Sequence, residues 1–505
     1  MSLRRNVIAN FVAKGWGAAL GLVFPPILVR LLGIESYGLI GIFGSLTAML
    51  VVLDLGLSTT LQREVAVLDD GSPEAQQKRR DLVRTFEVVF WSLGGAAGVG
   101  VVVAAPWIVR HWIHLEGLAP DDAVLAIRAM GPSLALQLAG VTYNGGLFAL
   151  QRQISANAIA LVANTLRSGG GALVVWLLWR SPGGFFVAQA CVMALQTLVT
   201  ALWLRRSLGR GPRPAAFRPA LLRGSWRFSA GTWGISLLGV ALAQLDKIVV
   251  SKLLPLEALG YYTLAGTAAT SLYYLIAPVM TAVFPRLCQL AGSGPEAGPE
   301  ISRVYHLGVQ ILSIAVGSAA VVLCVFPREA LFAWTGSLET VRNASGVLVL
   351  LVAGTALNGL MHLPYALQLA YGWTRLTFVT NCVGVALMVP ATYLLGARFG
   401  VIGVASAWVM MNAAYVAVVV PLLHRRLLKG EAPRWYLQGV AIPVASAAAA
   451  ALALRYMVGG AALGRASSGV VLVVAAAATL LASGLATRDV RALALRALRA
   501  RVPAA

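Results

Sequence analysis

The chain has 505 residues, 59% of them hydrophobic and 12% charged, with a mean hydropathy of +0.79, which excludes a soluble globular domain. Net charge is +21, a balance that raises nucleic acid as a partner. Roughly 27 of the 40 Lys and Arg, however, fall in alternate connections between apolar stretches, the pattern of cationic loops held in the cytoplasm, so membrane lipids and no nucleic acid are expected.

Apolar stretches long enough to cross a hydrocarbon core of about 30 Å recur along the chain. The first six are expected at 7–31, 38–62, 85–109, 123–150, 154–179 and 184–204. Met1 to Arg5 and the apolar run behind them lack the short core and small-residue cleavage site of a secretory leader, so this segment is read as a retained first span. A basic stretch with the run GRGPRPAAFRP follows, with the composition of a linker. Six more spans are expected at 229–254, 260–287, 304–327, 343–369, 376–397 and 403–423, and two close the chain at 435–457 and 468–486. The fold class is therefore all-α integral membrane with about 14 transmembrane helices. Its organisation is expected as a lobe over 1–204, a cytoplasmic linker over 205–228, a second lobe over 229–424, and two extra helices with a basic tail over 425–505.

Lys78, Arg79, Arg80 and Arg84, the arginines between 205 and 227, and Arg425, Arg426, Lys429 and Arg434 mark the connections expected to be cytoplasmic. Both termini then lie inside. The tail after Thr487 carries Arg and Leu at helical spacing, which suits either an amphipathic helix on the inner surface or a frayed end behind a positive-inside stop. Cys191, Cys288, Cys324 and Cys382 are too far apart in sequence for a disulfide framework or metal-ligand spacing. Prolines 25, 26, 278, 285, 364, 390 and 443 fall inside spans and are candidate hinges.

An internal repeat is visible. Segment 30–39, RLLGIESYGL, matches 252–261, KLLPLEALGY, pairing Arg30 with Lys252, Glu35 with Glu257 and Gly38 with Gly260. Phe11, Trp16 and Gly17 pair with Phe228, Trp233 and Gly234, and Ala149 to Gln151 with Ala366 to Gln368. Six spans separate the matched segments, so orientation is preserved and the expected product is two six-helix lobes related by a parallel repeat.

LVRLLGIESYGLIGIF and LDLGLSTTLQREVA in the first two spans, QLDKIVVSKLLPLEALGYYTLAGTAA in the seventh, and the FPRL at Phe284 to Leu287 resemble the polysaccharide transporter family. These are the Wzx-type O-antigen and exopolysaccharide flippases of the multidrug/oligosaccharidyl-lipid/polysaccharide exporter superfamily. The resemblance implies a two-lobed transporter of the bacterial inner membrane working by alternating access. Its implied cargo is an undecaprenyl pyrophosphate-linked oligosaccharide, with coupling to an ion or proton gradient and polysaccharide polymerase machinery as a candidate partner. A multidrug or toxin antiporter and a lipid II flippase of the same superfamily are the alternatives.

Moving a pyrophosphate-linked sugar past hydrocarbon requires a wet, cationic cavity, so ionisable residues inside spans are the candidates. Arg167 shares a helical face with Asn157, Asn164 and Gly171, and its guanidinium suits phosphate oxygens, with an interhelical structural role as the alternative. Lys14 and Asp54 lie at matching depths in the first two spans. They suit either a structural ion pair or a coupling in which Lys14 meets the pyrophosphate when Asp54 takes a proton. Asn144 stands with Gln137 and Gln151 at spacings of seven, and Asn358, His362 and Tyr365 follow at four and three; both stripes suit sugar hydroxyls or interhelical hydrogen bonds. Asp246 and Lys247 differ by about 100° around their helix and are expected to serve ion coupling and substrate binding respectively. Arg30 and Lys252 suit end-of-helix anchoring or an outer cationic rim. His111 and His114 of HWIH are read as an interfacial patch. No nucleotide loop, zinc-binding His-Glu-His pattern or nucleophile elbow is present, so no enzyme activity and no cofactor are expected.

Overall fold

A computed structural model describes residues 3–54, 56–68, 72–223, 226–459 and 463–499. The side chains of Arg4, Arg5, Phe11, Phe228, Trp233, Gly234, Arg496 and Arg499, and all of Arg501, lie outside the described set. The chain forms two compact units, Met1–Thr263 and Leu264–Ala505.

In the first unit the helices are α1 (Leu3–Leu32), α2 (Ile34–Leu53), α3 (Leu57–Val67), α4 (Pro73–His111), α5 (Pro120–Ala149), α6 (Gln153–Thr165), α7 (Gly171–Leu177), α8 (Pro182–Leu208), α9 (Ala220–Arg223) and α10 (Trp226–Leu253). Helix α11 (Leu256–Thr270) carries the boundary between units. Sequence-encoded caps start the long helices. Ser72 accepts a hydrogen bond from Ala75 N at 3.1 Å ahead of Pro73, and Ser181 accepts one from Gly184 N at 3.2 Å ahead of Pro182, each satisfying an amide that the helix leaves unpaired. Leu61, Phe86, Phe90, Leu134, Leu147 and Leu204 pack α3, α4, α5 and α8 into one core.

In the second unit follow α12 (Tyr273–Gly292), α13 (Gly298–Leu312), α14 (Ser318–Val325), α15 (Pro327–Thr335), α16 (Leu338–Leu360), α17 (His362–Ala370), α18 (Arg375–Arg426), α19 (Ala432–Arg434), α20 (Ile442–Val458), α21 (Arg465–Ala486) and α22 (Arg488–Arg499). The last two apolar helices are docked: Ala451 and Ala475 pack against Val322 and Phe326 in a small satellite core. The 52-residue α18 is two helices meeting at Gly400, whose φ of 60° and ψ of −143° no helix contains.

Among the described residues, eleven helical stretches are long and apolar enough to cross a membrane. They hold twelve of the expected spans, because α18 supplies two. Many of their apolar side chains face outward: Val103, Trp176, Leu177, Leu387, Leu394 and Val473 are all more than half exposed. In water such surfaces would drive aggregation; in a bilayer they face lipid of matching polarity. The all-helical integral membrane reading holds. Spans expected at 38–62 and 229–254 are not among the eleven, so length and apolarity alone do not reach fourteen crossings.

The second expected span is interrupted rather than continuous. Asp54 ends α2 and both its carboxylate oxygens turn onto Ser58, accepting from the backbone N at 3.0 Å and the hydroxyl at 2.6 Å, while Gly56 at φ 71° starts α3. Breaks elsewhere fall at Ser271–Leu272, Met361 and Gly400, whereas Pro25, Pro26, Pro278, Pro285 and Pro390 all lie within helices.

The repeat-related segments meet within the first unit. A β-carbon at Gly38 would lie 2.5 Å from the Leu256 carbonyl oxygen, and one at Gly260 would collide with the Ile34 carbonyl. Each glycine therefore admits the start of the other's helix, a reciprocal contact that requires both to lack side chains. The turn between α4 and α5 seals its edge. Glu35 accepts from Glu116 N and Gly117 N at 2.8 and 2.9 Å, and Leu256 N donates to His114 O at 2.9 Å. Lys252 Nζ donates to His111 O at 2.8 Å and lies 5.2 Å from the Trp112 ring, so Lys252 and the HWIH stretch form one docked assembly.

Candidate translocation-pathway residues

Arg167 lies in a five-residue π-helical turn, Leu166–Gly170, that interrupts the apolar helix formed by α6 and α7. Such turns widen the helix by one residue and redirect a side chain. Its guanidinium bonds to Asn164 Oδ1 and approaches the Met193 sulfur at 3.9 Å. No carboxylate pairs with it among the described residues. Helix α1 packs along this element. Trp16 Nε1 donates to Thr165 Oγ1 at 2.8 Å, Asn157 donates to Asn10 Oδ1, and Gly17 faces Asn164. Of the residues expected on this stripe, Arg167 and Asn164 are thus joined directly and Asn157 serves the seam with α1.

Lys14 and Asp54 are not brought together. Lys14 is exposed on α1 with no ion-pair partner among the described residues, and Asp54 is occupied by Ser58. Asn144 donates to the Gly140 carbonyl of its own helix at 3.1 Å and joins none of the other candidates.

Asp246 is buried, and its Oδ2 accepts from the hydroxyl of Tyr262 at 2.8 Å. Lys247 reaches back to Asp246 Oδ1 at 3.7 Å and to the Ala243 carbonyl at 3.4 Å. The 100° between adjacent residues is spanned by the lysine stem, so the pair is loose and the tight partner of Asp246 is Tyr262.

In the second unit, Asn358 is the centre of a three-helix network. Its Oδ1 accepts from Tyr273 OH at 3.0 Å on α12, and its Nδ2 donates to Asn412 Oδ1 at 2.8 Å on α18. Asn412 is fully buried and donates in turn to the Trp408 carbonyl at 2.8 Å. His362, at the break after α16, places Nδ1 3.2 Å from the Asn358 and Gly359 carbonyls and stacks at a tilt on Tyr273, with ring centroids 5.8 Å apart. The spacing of four between Asn358 and His362 thus marks a bend held by polar contacts.

The α4 carboxylates that hold the end of α8 and the basic stretch after it were not singled out by the sequence. Asp81, 2% exposed, pairs with Arg218 at 2.6 Å and accepts from Ala216 N at 2.9 Å. Glu87 pairs with Arg84 and Arg205 at 2.7 Å each and accepts from Tyr143 OH at 2.6 Å. Arg80 and Gln77 bond to backbone at Arg213 and Pro214, so the stretch is a strap fastened to α4. The spacing Gln77, Asp81, Thr85 on one helical face was the available signal.

The profile of the polysaccharide biosynthesis protein family matches residues 3–291. The chain belongs to this family. Through it, the chain is a membrane transporter of the polysaccharide type and not an enzyme. A relative from Shigella flexneri, named "Putative O-antigen transporter", is 21% identical over 422 residues, which cover 81% of this chain and 94% of the relative. Among solved structures, lipid II flippase MurJ in an inward closed conformation is similar with a TM-score of 0.70 at 12% identity, covering 96% of this chain and 99% of that one. An inward-facing multidrug resistance MATE family transporter of the MOP superfamily is similar with a TM-score of 0.65 at 15% identity, covering 81% and 94%. These likenesses place the family member in the fold shared by those transporters.

Proposed function

We propose that the protein is a flippase that carries an undecaprenyl pyrophosphate-linked oligosaccharide from the cytoplasmic to the periplasmic leaflet of the bacterial inner membrane, for O-antigen or exopolysaccharide synthesis. The observation that carries this reading is Arg167: a guanidinium in a membrane-spanning helix, without a carboxylate partner among the described residues and held by Asn164 at a π-helical turn. A charge at this depth costs roughly 2.5–3.5 kcal/mol on insertion scales, and a planar fork of donors matches phosphate oxygens. Asn157 and Lys14 on the same pair of helices extend the cationic and hydrogen-bonding surface. Asn144, Asn358, His362 and Lys247 are assigned to the sugar and headgroup path, and Asp54 and Asp246 to ion coupling. The working organisation is two lobes, 1–204 and 229–424, a strap over 205–228, and the accessory region 425–505, with both termini cytoplasmic.

Alternating access requires a seam that opens, and the reciprocal glycine contact supports one on the periplasmic side. The test is genetic and biochemical. Deleting the gene, or changing Arg167→Ala, is expected to trap undecaprenyl-linked oligosaccharide on the cytoplasmic leaflet and to abolish surface polysaccharide, with rescue by the wild type. Normal surface glycan together with altered sensitivity to cationic drugs would replace this reading with the multidrug one and make Asp54 and Asp246 its cation sites.

A further inference from the structure

The second unit contains a charged cavity that the translocation residues do not touch. It has a volume of about 860 Å³ and lies where α15 and the start of α16 face the end of α20 and the start of α21. That size falls within the range of small-molecule sites, about 300–1,000 Å³. Arg328, Arg342 and Arg455 line it against a single carboxylate, Glu329. Arg455 is committed: it bonds to Glu329 Oε1, with its guanidinium 5.7 Å from the Phe326 ring. Arg328 and Arg342 are exposed and have no carboxylate partner among the described residues. Glu329 is nine-tenths buried, yet its Oε2 accepts no hydrogen bond. The cavity thus presents two free guanidinium groups, one unfilled acceptor and the hydroxyl-bearing residues Ser345 and Ser468.

Its walls are built rather than incidental. Arg465, at the start of α21, donates to the carbonyls of Ala333 and Trp334 at 3.0 and 3.2 Å, fixing α21 to the end of α15. The Arg455–Glu329 pair fixes α20 to α15 in the same way. Phe332, Leu338 and Leu463 add an apolar margin. A ligand that satisfies all of this has an anion for the two arginines, a hydroxyl or ammonium donor for Glu329, and a hydrocarbon portion for the margin. A phosphate-bearing lipid headgroup has those three parts.

We propose that this cavity binds the phosphate of a lipid headgroup in the outer leaflet, and that α20 and α21 are retained to complete it. The leaflet follows from the orientation taken under the proposed function, on which this inference rests; the binding chemistry does not depend on transport. Two sources share the chemistry: bulk anionic phospholipid, and the polyprenyl pyrophosphate of a translocated carrier.

The full-length protein, purified in neutral detergent, is titrated with undecaprenyl pyrophosphate, with phosphatidylglycerol and with phosphatidylcholine. The double variant Arg328→Ala, Arg342→Ala changes only exposed side chains and should keep the wild-type melting temperature. Arg167→Ala serves as the control for the translocation path. The double variant is expected to weaken binding of a phosphate lipid about tenfold or more, as loss of charged hydrogen bonds requires, while Arg167→Ala leaves the binding of phosphatidylglycerol intact. Loss for both anionic lipids assigns the site to bulk phospholipid; loss for undecaprenyl pyrophosphate alone assigns it to the carrier. Unchanged binding of both lipids in a folded double variant overturns the site. Leu338→Cys, 67% exposed in the wild type, should react with an impermeant maleimide from the periplasmic side in cells, and reaction only from the cytoplasm overturns the leaflet. If the wild type moves no carrier but the arginine-dependent binding persists, the flippase reading fails and the site stands.

Discussion

Replacing Gly38 with alanine tests whether the reciprocal glycine contact is a seam that opens. The added β-carbon would lie 2.5 Å from the Leu256 carbonyl oxygen and 2.8 Å from Leu256 Cδ1. Restoring ordinary contact at 3.4 Å requires α2 and α11 to part by about 0.9 Å, because the nearest atom is backbone and has no rotamer to change. Overpacking of this kind costs about 1–3 kcal/mol. If states in which the segments are apart escape that cost, the population shifts toward them by about 5- to 150-fold. The readout is Thr263, whose side chain faces Gly41 across the same two helices, changed to cysteine in a background free of the four native cysteines and labelled from outside with an impermeant maleimide. Gly38→Ala should accelerate labelling within that range while the variant remains folded. Gly260→Ala should do the same, and the two together should fall short of additivity, since a seam already parted has no second clash to relieve. Unchanged labelling in both single variants would mean that the glycine contact is not a seam that opens.

Removing the strap's anchor should loosen the strap alone. Asp81→Ala deletes the partner of Arg218 and the acceptor for Ala216 N, a loss of about 1–3 kcal/mol, and trypsin should cut correspondingly faster at Arg210, since Pro214 and Pro219 protect the bonds after Arg213 and Arg218. In the second unit, Tyr273→Phe removes one hydrogen bond, whereas Asn358→Leu leaves the Oδ1 of the fully buried Asn412 without a donor; the melting temperature should fall more in the second variant than in the first. Glu431, between α18 and α19, accepts from Ser302 at 3.0 Å and lies 2.9 Å from His306 and 3.5 Å from Arg434. Burial pushes its carboxyl up, but the Ser302 hydroxyl, the neighbouring His306 and the Arg434 guanidinium outweigh this and hold it below the usual 4.5. A depressed carboxyl contributes stability above its unfolded value, and that contribution disappears as pH falls through the folded one. The melting temperature should therefore drop on acidification below about pH 4.5 in the wild type, and Glu431→Gln should flatten that part of the profile.

The fold class was legible because a hydrocarbon solvent demands long apolar helices, and composition alone reports them. Local interruptions were not. Asp54 reads as an intramembrane charge until its carboxylate is seen capping α3 through Ser58, a local bond that competes with continuation of the helix. Tyr262 was hidden by its distance of sixteen residues from Asp246 on the next helix. The π turn at Arg167 leaves no periodic mark, although the polar stripe around it was visible in Asn157 and Asn164. Gly38 and Gly260 were paired by sequence as a repeat; that they touch is a tertiary fact.

Movement of a lipid-linked pyrophosphate oligosaccharide between leaflets is measured most directly with the purified protein in sealed liposomes carrying a fluorescent carrier of that kind. Quenching by an impermeant reductant reports the leaflet occupied. A flippase gives protein-dependent exchange between leaflets that Arg167→Ala abolishes without loss of folded protein. Equal exchange in liposomes with and without the wild-type protein, under imposed ion gradients of either sign, would contradict that function.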